Sequence, residues 1–398
     1  MTKSAALSKQ SRNIIVKMKN IVIIGANDFQ LPLILEAKKR GYTTHVFAWE
    51  CGDIGEKEAD YFYPISIVEI DQIYEECLKI KPDAICSIAS DLAAVSVNEL
   101  SRRLSLPCND LKCVKNTTNK YAMRQALKKA GLPTPSFKVV ASSKETVEFA
   151  FPVIVKPTDR SGSRGIFKVE NSDQLSDAID QAIDYSFEKK AMVEEYIEGP
   201  EYSVEAFAFQ GEYHLLTFTK KYTTGAPHFI ETAHLQPSDL DEETQHAITL
   251  ELFKAFKALN IQNSAIHGEF RLTKEGMRII EIGARMGGDC IGSHLVQLST
   301  GYNFVGCVLD IALGIRPKPQ KKQPPKVALI HFIFNDEDLK LLEDLKKTKP
   351  HWIEKIYIDE HPSANIVDSS SRHGYFILKC DRKDQLKGLL THENKAKI

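Results

Sequence analysis

Glu269 and Glu281 offer the clearest chemistry in this sequence. His267-Gly268-Glu269-Phe270-Arg271-Leu272-Thr273 and Met277-Arg278-Ile279-Ile280-Glu281-Ile282-Gly283 flank Lys274-Glu275-Gly276. That pattern predicts a β-hairpin whose three-residue loop closes on a left-handed glycine. Such a loop sets Thr273 against Met277, Arg271 against Ile279 and Glu269 against Glu281. It turns Phe270, Leu272, Ile280 and Ile282 to the core. Directly opposed residues have Cβ atoms about 4.5–5.5 Å apart, and like charges so placed repel. Mg²⁺ takes carboxylate oxygens at about 2.0–2.1 Å, keeps positions for water and phosphate, and fits that gap. A solvated hairpin or a shared proton would account for the same pair without a metal. Arg285 follows among Gly283, Gly287 and Gly288, where a cation suits the developing charge of anionic oxygens.

Two further stretches point to phosphate and nucleoside. Phe151-Pro152-Val153-Ile154-Val155-Lys156 is an apolar strand ending in a lysine, followed by Arg160-Ser161-Gly162-Ser163-Arg164-Gly165. A buried lysine needs an anionic partner, and a Ser/Gly turn can aim successive N–H groups at phosphate oxygens. The stretch is not a Walker A loop; a flexible turn with a snorkelling lysine is the bland alternative. Glu194-Glu195-Tyr196-Ile197-Glu198-Gly199-Pro200-Glu201 reads as strand, turn, strand. A connector of that kind can offer backbone groups to an adenine edge, and Glu201 can accept ribose hydroxyls.

The elements around these residues divide the chain. Residues 1–18 are basic and read as a flexible extension. Ile21–Gly25, a helix from Leu31 to Arg40, Thr43–Ala48, helices over 68–79 and 90–104, and the strand Ala84–Ile88 alternate as in a parallel, Rossmann-like sheet. The first turn, Gly25-Ala26-Asn27-Asp28, lacks the later glycines of a dinucleotide fingerprint. A helix capped near Thr117, Thr118 or Asn119, a helix over 241–259 and a long one over 291–313 follow. A Pro/Lys linker over 315–325 leads to an α+β tail. The expected layout is an N-terminal domain over 19–112, a second over 113–315, and a linker with a C-terminal α+β lobe over 316–398.

Composition excludes other classes. The 398 residues carry 52 Lys+Arg and 53 Asp+Glu with 43% hydrophobic content. That charge balance gives no drive toward nucleic acid or anionic membranes, and no apolar run reaches the ~20 residues of a membrane span. The eight cysteines contain no C-x-x-C pair and read as reduced thiols of a cytoplasmic protein.

In order and spacing over residues 20–315, Lys120, Val155-Lys156-Pro157 with its Ser/Gly loop, Glu194-Glu195-Tyr196-Ile197 with Gly199-Pro200-Glu201, and Glu269 with Glu281-Ile282-Gly283-Ala284-Arg285 resemble the ATP-grasp superfamily. Lys221-Tyr222-Thr223-Thr224-Gly225, Phe229 to Pro237, and Glu281 to Asp289 resemble its L-amino-acid ligase branch, the dipeptide synthetases. The resemblance implies a Rossmann-like pre-ATP-grasp domain, an ATP-grasp domain and a C-terminal lobe. It implies a cytoplasmic ligase that joins a carboxylate to an amine through an acyl phosphate. Its cofactors would be ATP and Mg²⁺, with Mn²⁺ as a substitute, and its partners small-molecule substrates; a homodimer is left open.

Carried over residue by residue, Lys120 and Lys156 touch the nucleotide, Lys156 on phosphate; Ser161, Gly162, Ser163 and Gly165 form the phosphate lid, and Lys221 makes a further phosphate contact, with Lys220 its rival. Glu194, Glu195 and Ile197 meet adenine, and Glu201 ribose. Glu269 and Glu281 hold metal, Arg285 and His234 are catalytic, and Glu231, His234, Gly288 and Asp289 line the amino-acid site. Asp289 stands where the resembled ligase carries a bulky aromatic. It implies a negative pocket for a polar or basic substrate, unless it only caps the helix near Ile291. Gly283 departs from the Glu-x-Asn pattern, so the second metal needs another ligand. A carbamoyl-phosphate-synthase-like or purine-biosynthesis-like reaction, and a non-catalytic nucleotide-binding module, are the competing functions.

Overall fold

The computed structural model describes residues 18–160, 162–226, 229–321 and 323–390. Ser161 and residues 1–17 lie outside them. Strands β1 (Asn20–Ile24), β2 (Thr43–Phe47), β3 (Tyr61–Tyr63) and β4 (Ala84–Cys86) form a parallel sheet in the order β3-β2-β1-β4. Ile21, Val22, Ile23 and Ile24 are all fully buried, as expected of a parallel sheet covered on both faces. Helices Leu31–Lys39, Ile54–Glu58 and Ile70–Ile80 connect the strands, and Asp91–Arg103 follows β4.

A small antiparallel sheet follows: β5 (Phe137–Val140), β6 (Val153–Pro157), β7 (Phe167–Val169) and β8 (Ala191–Glu195), in the order β5-β8-β6-β7. Helix Leu175–Tyr185 buries Ala178, Ile179 and Ala182 against Val140, Val153, Val155 and Val169.

The largest sheet has eight strands: β9 (Glu201–Phe209), β10 (Glu212–Thr223), β11 (Glu231–Gln236), β12 (Ser264–Thr273), β13 (Gly276–Gly283), β14 (Val327–Ile333), β15 (Ile353–Ile358) and β16 (Gly374–Cys380). Their order is β13-β12-β9-β10-β11-β14-β16-β15, antiparallel throughout. The C-terminal strands therefore continue the central sheet and do not make a sheet of their own. On one face, helix Glu242–Ala258 sets Ile248, Leu252 and Phe256 against Phe270, Ile279 and Ile282.

Two local expectations need correction. The helix expected over 291–313 is interrupted: a π-helical turn Ile291–Leu295 runs into Val296–Thr300, Gly301 turns left-handed (φ +81°), and a new helix spans Phe304–Ala312. A Cβ at Gly301 would lie 2.2 Å from the Gln323 carbonyl oxygen, so only glycine fits this stop. Helix Phe304–Ala312 packs both on the first sheet's core (Ile23, Leu33) and on Phe207 and Phe209 of β9, joining the two lobes in one apolar cluster. Among the described residues no helix is long and apolar enough to cross a membrane.

The hairpin turn also differs. Its loop holds two residues, Lys274 and Glu275, and Thr273 pairs with Gly276, Leu272 with Met277, Arg271 with Arg278 and Phe270 with Ile279. The Thr273 hydroxyl accepts from Glu275 N at 3.1 Å and donates to Gly276 O at 2.9 Å, tightening the turn by one residue. A bulge at Ile280 then restores the pairing of Glu269 with Glu281. Ile280 is thereby pushed out of the core into a cleft, and Met277 and Ile279 are buried with Phe270 and Ile282 in its stead.

Candidate active site

One face of the central sheet floors a cleft roofed by the small β5–β8 sheet. Because side chains alternate along a strand, Glu201, Ser203 and Glu205 of β9 share a face with Arg271, Glu269 and His267 of β12, their direct partners. Lys221 of β10 pairs with Glu201 and places its ammonium on the same floor. The cleft encloses about 1070 Å³ counted to its open mouth. It is walled by Lys120, Lys156, Glu194, Tyr196, Ile197, Glu231, Glu281, Arg285 and the turn residues Gly162, Ser163 and Arg164.

At the roof end, cations outnumber carboxylates. Lys156 ends β6 and meets Glu194 of the neighbouring β8 at 2.5 Å, with both side chains buried. Arg124, fully buried, meets the same carboxylate at 2.5 Å and donates to Ile280 O at 2.6 Å. Burial would raise Glu194, but Arg124 and then Lys156 hold it below the usual carboxylate range. Lys156 is pushed below the lysine range by burial, its attraction to Glu194 being offset by Arg124 and Lys120. One carboxylate between two cations, Arg124 and Lys156, leaves a positive surplus that an incoming phosphate would meet.

The hairpin end is the reverse. Lys221 lies 2.5 Å from Glu269, 3.1 Å from Glu201 and 3.7 Å from Glu231. Burial would lower Lys221, yet these three acids, Glu269 first, raise it well above its ordinary value. Glu281 takes Lys120 at 2.6 Å. Glu201 is also gripped by Arg271 at 2.9 Å. The two opposed glutamates of the hairpin thus each hold a lysine. Their hard oxygen donors at an acid-rich end fit Mg²⁺, and Glu269 and Glu281 are the residues that would hold it. Behind Glu269, His267 Nε2 lies at 3.1 Å, while His267 Nδ1 contacts the fully buried Glu205. Burial lowers the imidazole, but Glu205 and Glu269 raise it to about 9. Glu205 also accepts Gly287 N at 3.0 Å. A Cβ at Gly287 would fall 2.5 Å from Glu205 Oε1 and 2.7 Å from His267 Nδ1, so this glycine yields space to the pair, not to a ligand. A Cβ at Gly288 would lie 3.9 Å from Ala89 O, an ordinary contact, and Gly288 is not among the residues that wall the cleft.

The turn between β6 and β7 has Gly162 at φ +71°, Ser163 at φ +59° and Gly165 at φ +69°. Ser163 Oγ donates to Phe229 O at 3.3 Å across the cleft mouth. Along the connector after β8, Glu195 accepts Ser136 N at 3.2 Å, and Ile197 O accepts Arg271 at 3.1 Å. Lys220, the rival of Lys221, points away to Asp239.

Two site assignments change with the geometry. Asp289 neither caps a helix nor lends charge to an open pocket. Arg372 clasps it with bonds of 2.7 and 3.0 Å, and His234 Nε2 stands 3.5 Å away. The same guanidinium donates to Ser369 O at 2.7 Å and Glu231 O at 3.3 Å and stacks on Phe332 at 3.6 Å. His234 is 1% exposed behind this clasp and does not line the cleft, so it is removed from the catalytic set. Glu231 does line it, held by Ser369 Oγ at 2.6 Å.

Sequence reasoning missed Arg124, Glu205, His267, Arg271, Asp91 and Arg372. Three were within reach of periodicity. Arg124 is one helical turn after Lys120, and His267 and Arg271 flank Glu269 at the two-residue spacing of one strand face. Arg372 and Asp91 come from distant segments and carry no local signal.

Residues 149–293 match the family model for the ATP-grasp domain. Over 247 residues the chain is 28% identical to the alanine–anticapsin ligase of Bacillus subtilis, covering 55% of this chain and 52% of that protein. Over 147 residues it is 33% identical to the D-alanine–D-alanine ligase of Alcanivorax borkumensis, covering 35% and 45% respectively. The chain spans about half the length of the curated relatives it matches. The crystal structure of L-amino acid ligase from Bacillus licheniformis superposes with a TM-score of 0.79 at 24% identity, over 94% of this chain and 97% of that one. Residues 149–293 thus match an ATP-grasp domain, in a chain whose overall fold is like that of the L-amino acid ligase structure.

Proposed function

We propose that the protein is an ATP-dependent carboxylate–amine ligase that joins two amino acids through an acyl phosphate, releasing ADP and phosphate. The observation that carries this reading is the opposed charge surplus along one cleft. A cation-rich roof around Lys156 suits phosphates, and an acid-rich hairpin around Glu269 and Glu281 suits a divalent cation. Mg²⁺, when bound, supplies charge neutralisation between the nucleotide phosphates. Lys156 and Lys120 hold phosphate oxygens from the roof. The Gly162–Gly165 turn closes over them and excludes water, which would hydrolyse an acyl phosphate. Arg285, two residues past the end of β13, steadies charge that develops on the phosphoryl and carbonyl oxygens during amide formation. Glu231, held by Ser369, borders the amino-acid end. The named relatives that act on alanine support the amino-acid class.

Pairwise screening of the common amino acids with Mg²⁺ and ATP tests the proposal. Release of ADP and phosphate that needs two amino acids supports it. Turnover that needs bicarbonate, or nucleotide binding with no turnover for any pair, would contradict it.

A further inference from the structure

Gly283 leaves an opening beside the metal-site hairpin, and the structure shows what fills it. An ideal Cβ at Gly283 would lie 3.4 Å from Asp91 Oδ1 and 3.4 Å from Arg285 Nε. A longer side chain there would run into the Asp91–Arg285 pair. That pair is a two-pronged fork: Nε to Oδ1 at 2.7 Å and Nη2 to Oδ2 at 3.1 Å. Arg285 makes one more bond, to its neighbour's carbonyl at Met286, 3.2 Å away. Asp91 does not belong to the ATP-grasp domain. It opens helix Asp91–Arg103 of the N-terminal lobe, whose first turn is capped by Ser90. It also borders a second cleft with Lys120 and Glu281, two residues that wall the nucleotide cleft as well.

We infer that Asp91 is the positioning residue of Arg285, delivered by the N-terminal lobe into the space that Gly283 leaves open. The arginine is then aimed at phosphoryl oxygens only while the two lobes are docked. The physical reason is the planar fork. A guanidinium on a flexible stem keeps its charge in any rotamer but has a direction only when two of its N–H groups are pinned. A carboxylate on residue 283 would pin it from within β13; here the other lobe does so. The inference rests on the ligase reading for what Arg285 does.

The test uses the full chain, MgADP, and inorganic phosphate titrated into the MgADP complex. In Asp91→Asn, MgADP affinity should stay within about twofold of wild type, while phosphate affinity falls roughly tenfold or more. Amine-dependent kcat should fall by a similar factor with KM for ATP unchanged. The double variant Asp91→Ala/Gly283→Asp should recover most of the loss seen in Asp91→Ala, because a carboxylate again reaches the guanidinium. Wild-type phosphate affinity in Asp91→Asn would overturn the inference. So would parallel loss of MgADP and phosphate with a lowered thermal midpoint, the signature of a mere lobe staple, or a double variant no better than Asp91→Ala. Failure of the wild type to bind MgADP would overturn the ligase reading and this inference with it, whereas a wild type that binds MgADP and phosphate beside an unaffected Asp91→Asn would overturn this inference alone.

Discussion

At Asp289, one carboxylate meets one guanidinium in a fork of 2.7 and 3.0 Å, with His234 behind it. Along the cleft, Lys221 faces the three carboxylates of Glu201, Glu231 and Glu269, while Glu194 faces Arg124 and Lys156. Both regions bury charge, and burial alone would neutralise most of these groups. The difference is balance. The clasp closes on itself, with four guanidinium bonds accounted for within the protein, so its role is to pin the segment 369–372 against β11. The cleft is positive at one end and negative at the other, an arrangement whose electrostatic cost is relieved when a phosphate and a divalent cation enter. Buried charge by itself does not mark a ligand site here; uncompensated charge does.

The comparison breaks first at the hairpin. Glu281→Gln and Glu269→Gln each remove one acid from the metal end and should lower amine-dependent ADP release by roughly 100-fold or more. Near-wild-type rates at limiting Mg²⁺ would show that the surplus has no function. Arg285→Ala should lower kcat by about 10²–10³ with little change in KM for ATP. Lys156→Ala should weaken ATP binding and turnover together, since its phosphate partner is present before reaction. It also leaves Glu194 with Arg124 as its remaining cation.

On the balanced side the effects move from catalysis to stability. Arg372→Ala leaves Asp289 buried without its main partner and should cost about 3–5 kcal/mol in chemical denaturation, with MgADP affinity unchanged. The smallest effect is expected for substrate choice. Asp289→Asn should leave the ratio of kcat/KM for lysine over alanine unchanged, because Arg372 already neutralises the carboxylate. A shift of that ratio toward alanine would restore Asp289 as a substrate contact.

Much of the cleft was legible because its residues lie on regular strands. The opposition of Glu269 and Glu281 follows from hairpin alternation, although it is reached through a bulge at Ile280 and not through a three-residue loop. A turn one residue shorter and a bulge one residue longer cancel, and sequence alternation cannot separate that pair of changes from none. Lys156 was legible as a charge ending an apolar strand, and Lys221 only through the family resemblance, which left Lys220 as its rival. The misreadings share another cause. Asp289 looked functional because its partner, Arg372, comes from a segment 83 positions beyond it, and His234, carried over from the family resemblance, stands behind that pair. The continuation of the central sheet into β14–β16 was hidden for the same reason, since strand order across a long connection leaves no local pattern.

The central claim is that this cleft activates a carboxylate by phosphorylation. The most direct measurement uses an amino-acid pair active in the screen, with both carboxylate oxygens of the donor labelled with ¹⁸O. The account predicts one labelled oxygen in the released phosphate for each amide formed, with ADP as the nucleotide product. Unlabelled phosphate, or AMP and pyrophosphate as products, would contradict it.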